Sequence, residues 1–272
     1  MWVYPAKGRI SQGGGGSRRA FWKCCPSLDM PSAQALPPQS DKGAYVREMF
    51  ASIAPRYDLV NRVMTARMDE AWRAAAIAML RAPRGGSIVD LCCGTGDVAF
   101  ALLRDDPSAQ VTGIDFCDPM LAVARRRAAA GEARGARLQF LEGDVMALPF
   151  GDGSFDGATM GFSMRNVVDI DDTLREIRRV LRSGARFVNL DVSKAPNRFF
   201  KRAFDAYFYG IVPLIGALVG RSKKAYTYLP QSLTNHPDAE ALRERFARAG
   251  FVECGFKRLM GGSIAIHVGT AP

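Results

Sequence analysis

Apolar positions recur at two spacings along the chain, and their order predicts a helical region followed by alternating strands and helices. Over residues 44–80 the spacing is that of amphipathic helices, until Pro83 and the Gly85 and Gly86 pair end the pattern. Short apolar runs then predict strands at residues 87–91, 110–114, 138–141, 155–161 and 186–192. Helical spacing follows several of these strands, at residues 98–103, 119–127 and 171–181, with Asp118 as N-cap of the second helix.

Alternation of this kind predicts an α/β fold with a mostly parallel sheet covered on both faces. The end of the chain breaks the alternation, because residues 251–258 and 263–268 are two strand-like runs joined at Gly261 and Gly262. Strands of a hairpin are antiparallel, so we expect an antiparallel last strand. The sequence therefore predicts one domain over residues 43–272, with a helical N-terminal part at 43–82 and an apolar helical insert at 195–224.

The first 40 residues differ from the rest in charge. They carry five basic residues against one acidic residue, Asp29, and are rich in Gly, Ser and Pro. Such a segment is typical of an organelle transit peptide, and a disordered tail remains the alternative. We therefore predict an organelle transit peptide over residues 1–42.

The positive charge beyond the N-terminal segment does not indicate a nucleic-acid partner. The formal net charge is +10, and beyond the N-terminal segment the basic residues are scattered over predicted helices, where a solvated face is the simpler interpretation. The six cysteines include two adjacent pairs and form no CxxC motif, which favours a reduced compartment and predicts no metal site.

The glycine-rich turn after the first predicted strand is the main candidate ligand site. Gly94, Thr95 and Gly96 fit the loose pattern G-x-G-x-x-A, which also occurs in NAD-binding proteins. Asp90 and Asp97 flank the glycines, however, and place negative charge where a pyrophosphate would lie. S-adenosylmethionine has no phosphate and carries a cationic ammonium and sulfonium. The charges therefore favour S-adenosylmethionine as the cofactor.

Two further aspartates follow the next predicted strands. Asp115 is placed to accept hydrogen bonds from ribose hydroxyls, and Asp144 from an adenine amino group. Ligands of parallel sheets bind at the carboxyl ends of the strands, where these residues fall. Aspartates are also common turn formers at such positions, which is the alternative interpretation.

Three segments resemble the cofactor motifs of class I methyltransferases, namely IVDLCCGTGD (88–97), GIDF (113–116) and GDVMALPF (143–150). The resemblance implies a Rossmann-like fold with a seven-stranded sheet. It also implies cofactor contacts from residues of the turn and of the later strand ends: Asp90, Gly94, Thr95, Gly96, Asp115, Phe116, Asp144, Val145 and Gly161.

Further segments are similar to the ubiquinone/menaquinone-biosynthesis C-methyltransferase family, namely VREMFASIAPRYDLVN (46–61), FDGATMGFSMRNVVD (155–169) and AYTYLPQS (225–232). The chain looks most like the plastid branch, which methylates the demethyl precursor of phylloquinone. The resemblance implies a chloroplast location, with the mitochondrion as the alternative. It departs from the family at residues 68–70, at Ser163 where Gly is usual, and at Asp191 where many members carry Glu.

This resemblance implies a prenylated naphthoquinol as substrate. Arg165 is the candidate donor to the phenolate that develops during C-methylation, with Asn166 as a second donor or as the residue that positions a water molecule. Three alternatives remain: the benzoquinol of the ubiquinone pathway, another small lipophilic substrate, and a non-catalytic cofactor-binding subunit of a quinone-biosynthesis complex.

Aromatic residues could line the substrate pocket or could simply form core. The candidates for the pocket are Tyr57, Trp72, Tyr226 and Tyr228. The apolar insert is too short and interrupted to span a bilayer, and Pro213 breaks it. It could cover the pocket, contact a membrane surface, form a buried helix or make a homodimer contact.

Overall fold

The computed structural model describes residues 41–272 except positions 134, 136, 219, 221–224, 226–227 and 229–231. The predicted transit peptide over 1–42 lies outside the described residues apart from its last two positions, and Tyr226 also lies outside them. The fold below is that of the described part of the chain.

A seven-stranded sheet forms the centre of the molecule, in the order β3-β2-β1-β4-β5-β7-β6. The first five strands are parallel, and β7 is antiparallel to both β5 and β6. This arrangement confirms the predicted fold class, including the antiparallel last strand. The strands are β1 (Ser87–Leu91), β2 (Gln110–Asp115), β3 (Arg137–Glu142), β4 (Phe155–Gly161), β5 (Leu181–Val192), β6 (Val252–Leu259) and β7 (Ile264–Thr270).

Helices cover both faces of the sheet, and each face has its own apolar cluster. One cluster includes Ile77, Leu102 and Leu121, and the other includes Leu174 and Phe246. The helices are α1 (Lys42–Ile53), α2 (Tyr57–Thr65), α3 (Met68–Leu80), α4 (Asp97–Asp105), α5 (Asp118–Arg127), α6 (Ile170–Val180), α7 (Arg198–Asp205), α8 (Val212–Leu218) and α9 (Ala239–Arg248).

The three N-terminal helices form the predicted helical extension and are tied to the sheet at both ends. The Lys42 ammonium donates hydrogen bonds to the carbonyls of Arg165, at 3.2 Å, and Val167, at 2.6 Å, in the loop after β4. At the other end, α3 packs against β4 and β5. The extension therefore stands over the carboxyl ends of the parallel strands.

Helices α7 and α8 lie in the described part of the predicted apolar insert. α7 continues through a π-helical stretch, Ala206–Ile211, into α8, and the Tyr207 hydroxyl donates to the Met64 carbonyl of α2. None of the helices in the described ranges is both long and apolar enough to cross a bilayer.

Two element boundaries differ from the prediction. β5 begins at Leu181, directly after α6, where the prediction placed helix and turn until residue 186. The prediction that Asp118 is an N-cap is wrong, because Asp118 is the first residue of α5 and Cys117 occupies the cap position without a side-chain hydrogen bond. The Asp115 carboxylate instead accepts the Cys117 amide, at 2.8 Å, and so fixes the turn into the helix.

Candidate active site

A cavity of about 810 Å³ opens at the carboxyl ends of the parallel strands. This volume lies in the upper part of the range of about 300–1,000 Å³ that is typical of small-molecule sites. Its wall is built from the turn after β1, the ends of β2 and β4, the loop after β3, and helices α1–α3, α7 and α8. The position is the one at which parallel α/β sheets bind ligands.

The glycine-rich turn lies in the floor of the cavity with two glycines in the left-handed region. Gly94 has φ of +55° and lines the cavity, and Gly96 has φ of +87°. A Cβ on Gly96 would lie 2.9 Å from ring carbons of Phe100 and Phe140, so only glycine fits there. Gly96 thus shapes the turn without lining the cavity itself, and Gly94 leaves its backbone open to a ligand.

Asp90 is fully buried beneath this turn. Its two carboxylate oxygens accept the Ala99 amide, at 3.1 Å, and the Thr159 hydroxyl, at 2.9 Å. Burial raises the pKa of Asp90 to about 7. Asp90 therefore ties β1 to α4 and β4, and it contributes less negative charge to the cavity than its place in the sequence indicates.

Asp115 is the last residue of β2 and lies in the cavity wall. Its Oδ2 accepts the Gly94 amide and its Oδ1 accepts the Cys117 amide, both at 2.8 Å. Burial raises the pKa of Asp115 to about 6. Each carboxylate oxygen retains a further lone pair for a ligand hydroxyl, and the Phe116 ring lines the cavity beside it.

The remaining predicted cofactor residues line the same cavity from the next elements. Asp144 is exposed, and its carboxylate accepts the Met146 amide at 2.9 Å, while Val145 is buried. Gly161 ends β4, and a Cβ there would lie 2.9 Å from the Val98 side chain. The structure thus brings together the ends of β1, β2 and β4 and the loop after β3.

An ion-pair network joins the N-terminal helices to the glycine-rich turn. Arg127 binds Asp58, Asp97 and Glu132, at 2.8–3.1 Å, and the Thr95 hydroxyl donates to Asp58 at 2.6 Å. The second guanidinium, that of Arg73, binds Asp69 at 2.5 Å and Asp97 at 3.1 Å. Four carboxylates thus face two guanidinium groups, so the network keeps an excess of negative charge beside the turn.

Arg165 lies in the cavity wall after β4 and is held from two sides. Its guanidinium forms a buried ion pair with Asp191 of β5 and donates to the Phe162 carbonyl at 2.6 Å, and its amide donates to Asp191 Oδ2 at 3.2 Å. Arg165 pairs with Asp191 inside the protein and not with Asp169 or Asp172 of the following segment. The Arg165 Nε and both side-chain polar atoms of Asn166 are buried without a partner among the described residues.

The aromatic candidates divide into two groups. Tyr57 and Trp72 line the cavity, and the Trp72 ring lies 6.4 Å from that of Phe162. Tyr228 does not line the cavity; it is buried in the core against Tyr45, with ring centroids 5.5 Å apart. Tyr228 therefore lies behind the wall of the cavity as a core residue, and burial raises its pKa to about 12.

Comparison with known proteins identifies the family. Residues 39–271 match the model of the ubiE/COQ5 methyltransferase family. A demethylmenaquinone methyltransferase from Thermus thermophilus is 44% identical over 226 residues, which is 82% of this chain and 100% of that protein. The ubiquinone/menaquinone biosynthesis C-methyltransferase UbiE from Dinoroseobacter shibae is 38% identical over 232 residues, 85% of this chain and 92% of the relative. This chain belongs to the ubiE/COQ5 methyltransferase family.

Solved structures agree on the fold. The [4+2]-cyclase SpnF superimposes with a TM-score of 0.63 at 19% identity, covering 85% of this chain and 96% of that one. A SAM-dependent methyltransferase from Thermotoga maritima gives a TM-score of 0.59 at 20% identity, covering 83% and 99%. At these identities the likeness concerns the fold alone.

Membership of the ubiE/COQ5 methyltransferase family makes the chain an S-adenosylmethionine-dependent methyltransferase, as predicted, and the residues of the cavity fit this cofactor. Gly94 lets the cofactor approach the backbone closely, and the Asp115 carboxylate can accept hydrogen bonds from its ribose hydroxyls. The acidic network supplies negative charge beside its sulfonium. Sequence reasoning missed the basic residues of the network. A signal for Arg73 was present in the sequence, because the pair Trp72 and Arg73 follows the segment 46–61 that resembles the family.

Proposed function

We propose that the protein methylates a ring carbon of a prenylated naphthoquinol, using S-adenosylmethionine as methyl donor. The family and its curated relatives support C-methylation in quinone biosynthesis. The observation that carries the proposal is the placement of Arg165 and Asn166, a cation and an amide with unpaired buried atoms, in the wall of an otherwise mainly apolar cavity.

The protein has to make a ring carbon nucleophilic and hold it in line with the methyl group. S-adenosylmethionine supplies a methyl group that is already activated on a sulfonium. Arg165 stabilises the negative charge that develops on the quinol oxygen as its hydroxyl proton leaves, and Asp191 fixes the guanidinium for this purpose. The ring carbon would then form a bond to the methyl carbon as the methyl–sulfur bond breaks and the neutral thioether leaves. The proton of that carbon would pass to water, which restores the aromatic ring.

Asn166 acts beside Arg165. An amide offers two donors and one acceptor oxygen, and both of its polar atoms are unpaired in the described structure. Because burying such atoms without a partner is costly, we expect them to bind a quinol oxygen or a water molecule that carries the proton away. The neighbouring Tyr57 and Trp72 form the aromatic wall against which a naphthalene ring would pack.

The mouth of the cavity favours a lipophilic tail and a membrane surface. Four residues both line the cavity and expose large apolar side chains: Val63, Met68, Phe200 and Met260. Helix α8, whose Val212 and Ile215 line the cavity, also exposes Leu214 and Leu218, with 59% and 73% of their area exposed. We propose that this surface contacts a membrane and that the prenyl tail leaves the cavity there.

We also retain the chloroplast as the proposed location and phylloquinone biosynthesis as the proposed pathway. Support comes from the basic, acid-poor segment that precedes the family match at residue 39 and from the motifs similar to the plastid branch. The mitochondrion and the benzoquinol pathway are the alternatives.

A substrate comparison tests the proposal. Purified protein, S-adenosylmethionine and a reduced short-chain demethylnaphthoquinone are expected to give methylated product faster than a reduced benzoquinone lacking the same methyl group. Faster turnover of the benzoquinol would assign the protein to the other pathway. Cofactor binding without turnover of either quinol would favour a non-catalytic subunit.

A further inference from the structure

The loop after β4 carries the two residues assigned to the chemistry of the quinol, and its backbone is fixed on both sides of Asn166. The Asn166 amide donates to the Ser163 carbonyl at 2.8 Å. The carbonyls of Arg165 and Val167, which precede and follow Asn166, both accept hydrogen bonds from the Lys42 ammonium, at 3.2 Å and 2.6 Å. These three hydrogen bonds hold the backbone around Asn166, and two of them come from one side chain.

Lys42 reaches this loop from a distant part of the chain. It is the first residue of α1, lies 123 and 125 positions from its two acceptors in the sequence, and is half-buried. Lysine side chains are mostly exposed because an ammonium loses hydration when it is buried. Burial accordingly lowers the pKa of Lys42. Lys42 does not line the cavity, whereas Arg165, Asn166 and Val167 do, so it holds the loop from behind.

The two side chains of the loop differ in how they are held. The Arg165 guanidinium has its own partners, Asp191 and the Phe162 carbonyl. The Asn166 side chain is buried, and neither of its polar atoms has a partner among the described residues. Its direction therefore depends on its backbone, and so on Lys42. Because a displacement of about 1 Å near a reacting group can cost about 10²-fold in rate, an anchor of this backbone can affect catalysis without contacting the substrate.

We propose that Lys42 is a positioning residue, which holds the Asn166 side chain toward the quinol by binding the two carbonyls beside it. The proposal rests on the function proposed above, because it assigns Asn166 to a quinol oxygen or its water molecule. The alternative is that Lys42 only anchors α1 to the sheet. Because Met49, Phe50 and Ile53 of α1 line the cavity, loss of an anchor alone would weaken ligand binding, and this loss would not depend on Asn166.

A double-mutant cycle in the full chain distinguishes the two roles. Lys42→Met removes the charge and is expected to lower kcat about tenfold with a reduced short-chain demethylnaphthoquinone, while KM for S-adenosylmethionine stays within about twofold. In the Asn166→Ala background, which is expected to lower kcat by itself, the same substitution should cost less than about twofold more, because the side chain that Lys42 positions is absent. An equal loss in both backgrounds, or a loss confined to KM, would overturn the proposal.

Two further variants complete the cycle. Lys42→Arg keeps the charge and its hydrogen-bond donors and is expected to recover most of kcat. Arg47→Met breaks an exposed ion pair between the same helix and Glu142 and is expected to leave kcat unchanged. Lys42→Gln, which is polar but neutral, replaces the methionine variant if that variant does not fold.

Nuclear magnetic resonance gives a second readout that needs no turnover. The chain has five asparagines, so ¹⁵N-asparagine labelling gives few side-chain amide signals, and Asn166→Ala identifies the signal of Asn166. This signal should shift or broaden in Lys42→Met and return in Lys42→Arg. An unchanged signal in Lys42→Met would overturn the proposal. If the wild type methylates no quinol, the proposed function fails, and the signal still shows whether Lys42 orients Asn166.

Discussion

At the scale of single residues, Arg165 is the side chain on which the proposed chemistry depends. Arg165→Ala is expected to lower kcat by about 10²–10³-fold, the usual loss when one donor to a developing oxyanion is removed. The affinity for S-adenosylhomocysteine should not change, because Arg165 is not part of the network around the glycine-rich turn. Arg175→Ala, which removes an exposed pair with Asp172, is the matched control. Full turnover by the Arg165 variant would exclude it from catalysis.

Asp191 is expected to matter for stability as well as for turnover. Its carboxylate accepts hydrogen bonds from the Arg165 guanidinium and amide inside the protein. Asp191→Asn would leave a buried guanidinium without its counter-charge, which costs about 3–5 kcal/mol of unfolding free energy. Urea denaturation measures the unfolding free energy of this variant. Asp152→Asn, which breaks an exposed pair with Arg179, is the control and should leave the urea midpoint unchanged. Equal midpoints for the two variants would contradict the assignment.

Asp115 makes cofactor binding depend on pH. Burial raises its pKa to about 6, so the side chain is increasingly protonated below that pH and loses its charge and acceptor capacity. Because a cationic ligand and its hydroxyls favour the ionised form, the affinity for S-adenosylmethionine should rise as pH increases through about 6, by up to about tenfold per pH unit below it.

Titrations between about pH 5 and 7.5 give the measurement for Asp115. Asp115→Asn is expected to bind S-adenosylmethionine more weakly and to show a flatter dependence of affinity on pH. The pH dependence that remains is assigned to Asp90, whose pKa is raised to about 7. A wild-type affinity that is constant over this range would show that the Asp115 carboxylate does not face the ligand.

At the scale of elements, α8 carries the proposed membrane contact. Leu214→Ser with Leu218→Ser removes two of its most exposed apolar side chains. We expect less binding to anionic phospholipid vesicles in a sedimentation assay and unchanged turnover of a short-chain quinol. Leu59→Ser, which changes an exposed leucine of α2, is the control. A change in oligomeric state, with vesicle binding unaffected, would assign the surface to a homodimer.

The elements themselves were largely predictable from the sequence, because the strands of a buried parallel sheet are short apolar runs. All seven strands and the antiparallel hairpin were found in this way. The errors fell where a group outside the predicted element satisfies the backbone at the end of that element. Asp115 accepts the Cys117 amide, so Asp118 is not needed as a cap, and β5 extends to Leu181 because its start pairs with Phe155 of β4.

At the scale of the whole molecule, the cofactor side of the cavity was more predictable than its charge network. Asp115, Asp144 and Gly161 follow strands of one parallel sheet, so the sequence alone places them at one edge. The pairs Arg127–Asp58 and Arg73–Asp97 join helices whose packing the sequence does not specify. The same reason explains Tyr228, since aromatic spacing does not distinguish a pocket wall from the core behind it.

The most direct measurement of the central claim follows the methyl group to its destination. The protein is incubated with S-adenosylmethionine labelled with ¹³C at the methyl carbon and with a reduced demethylnaphthoquinone, and the product is examined by NMR after reoxidation. The account predicts a labelled methyl group bonded to the ring carbon, with formation lost in Arg165→Ala. A labelled methyl group on oxygen, or no labelled naphthoquinone while the cofactor is bound, would contradict it.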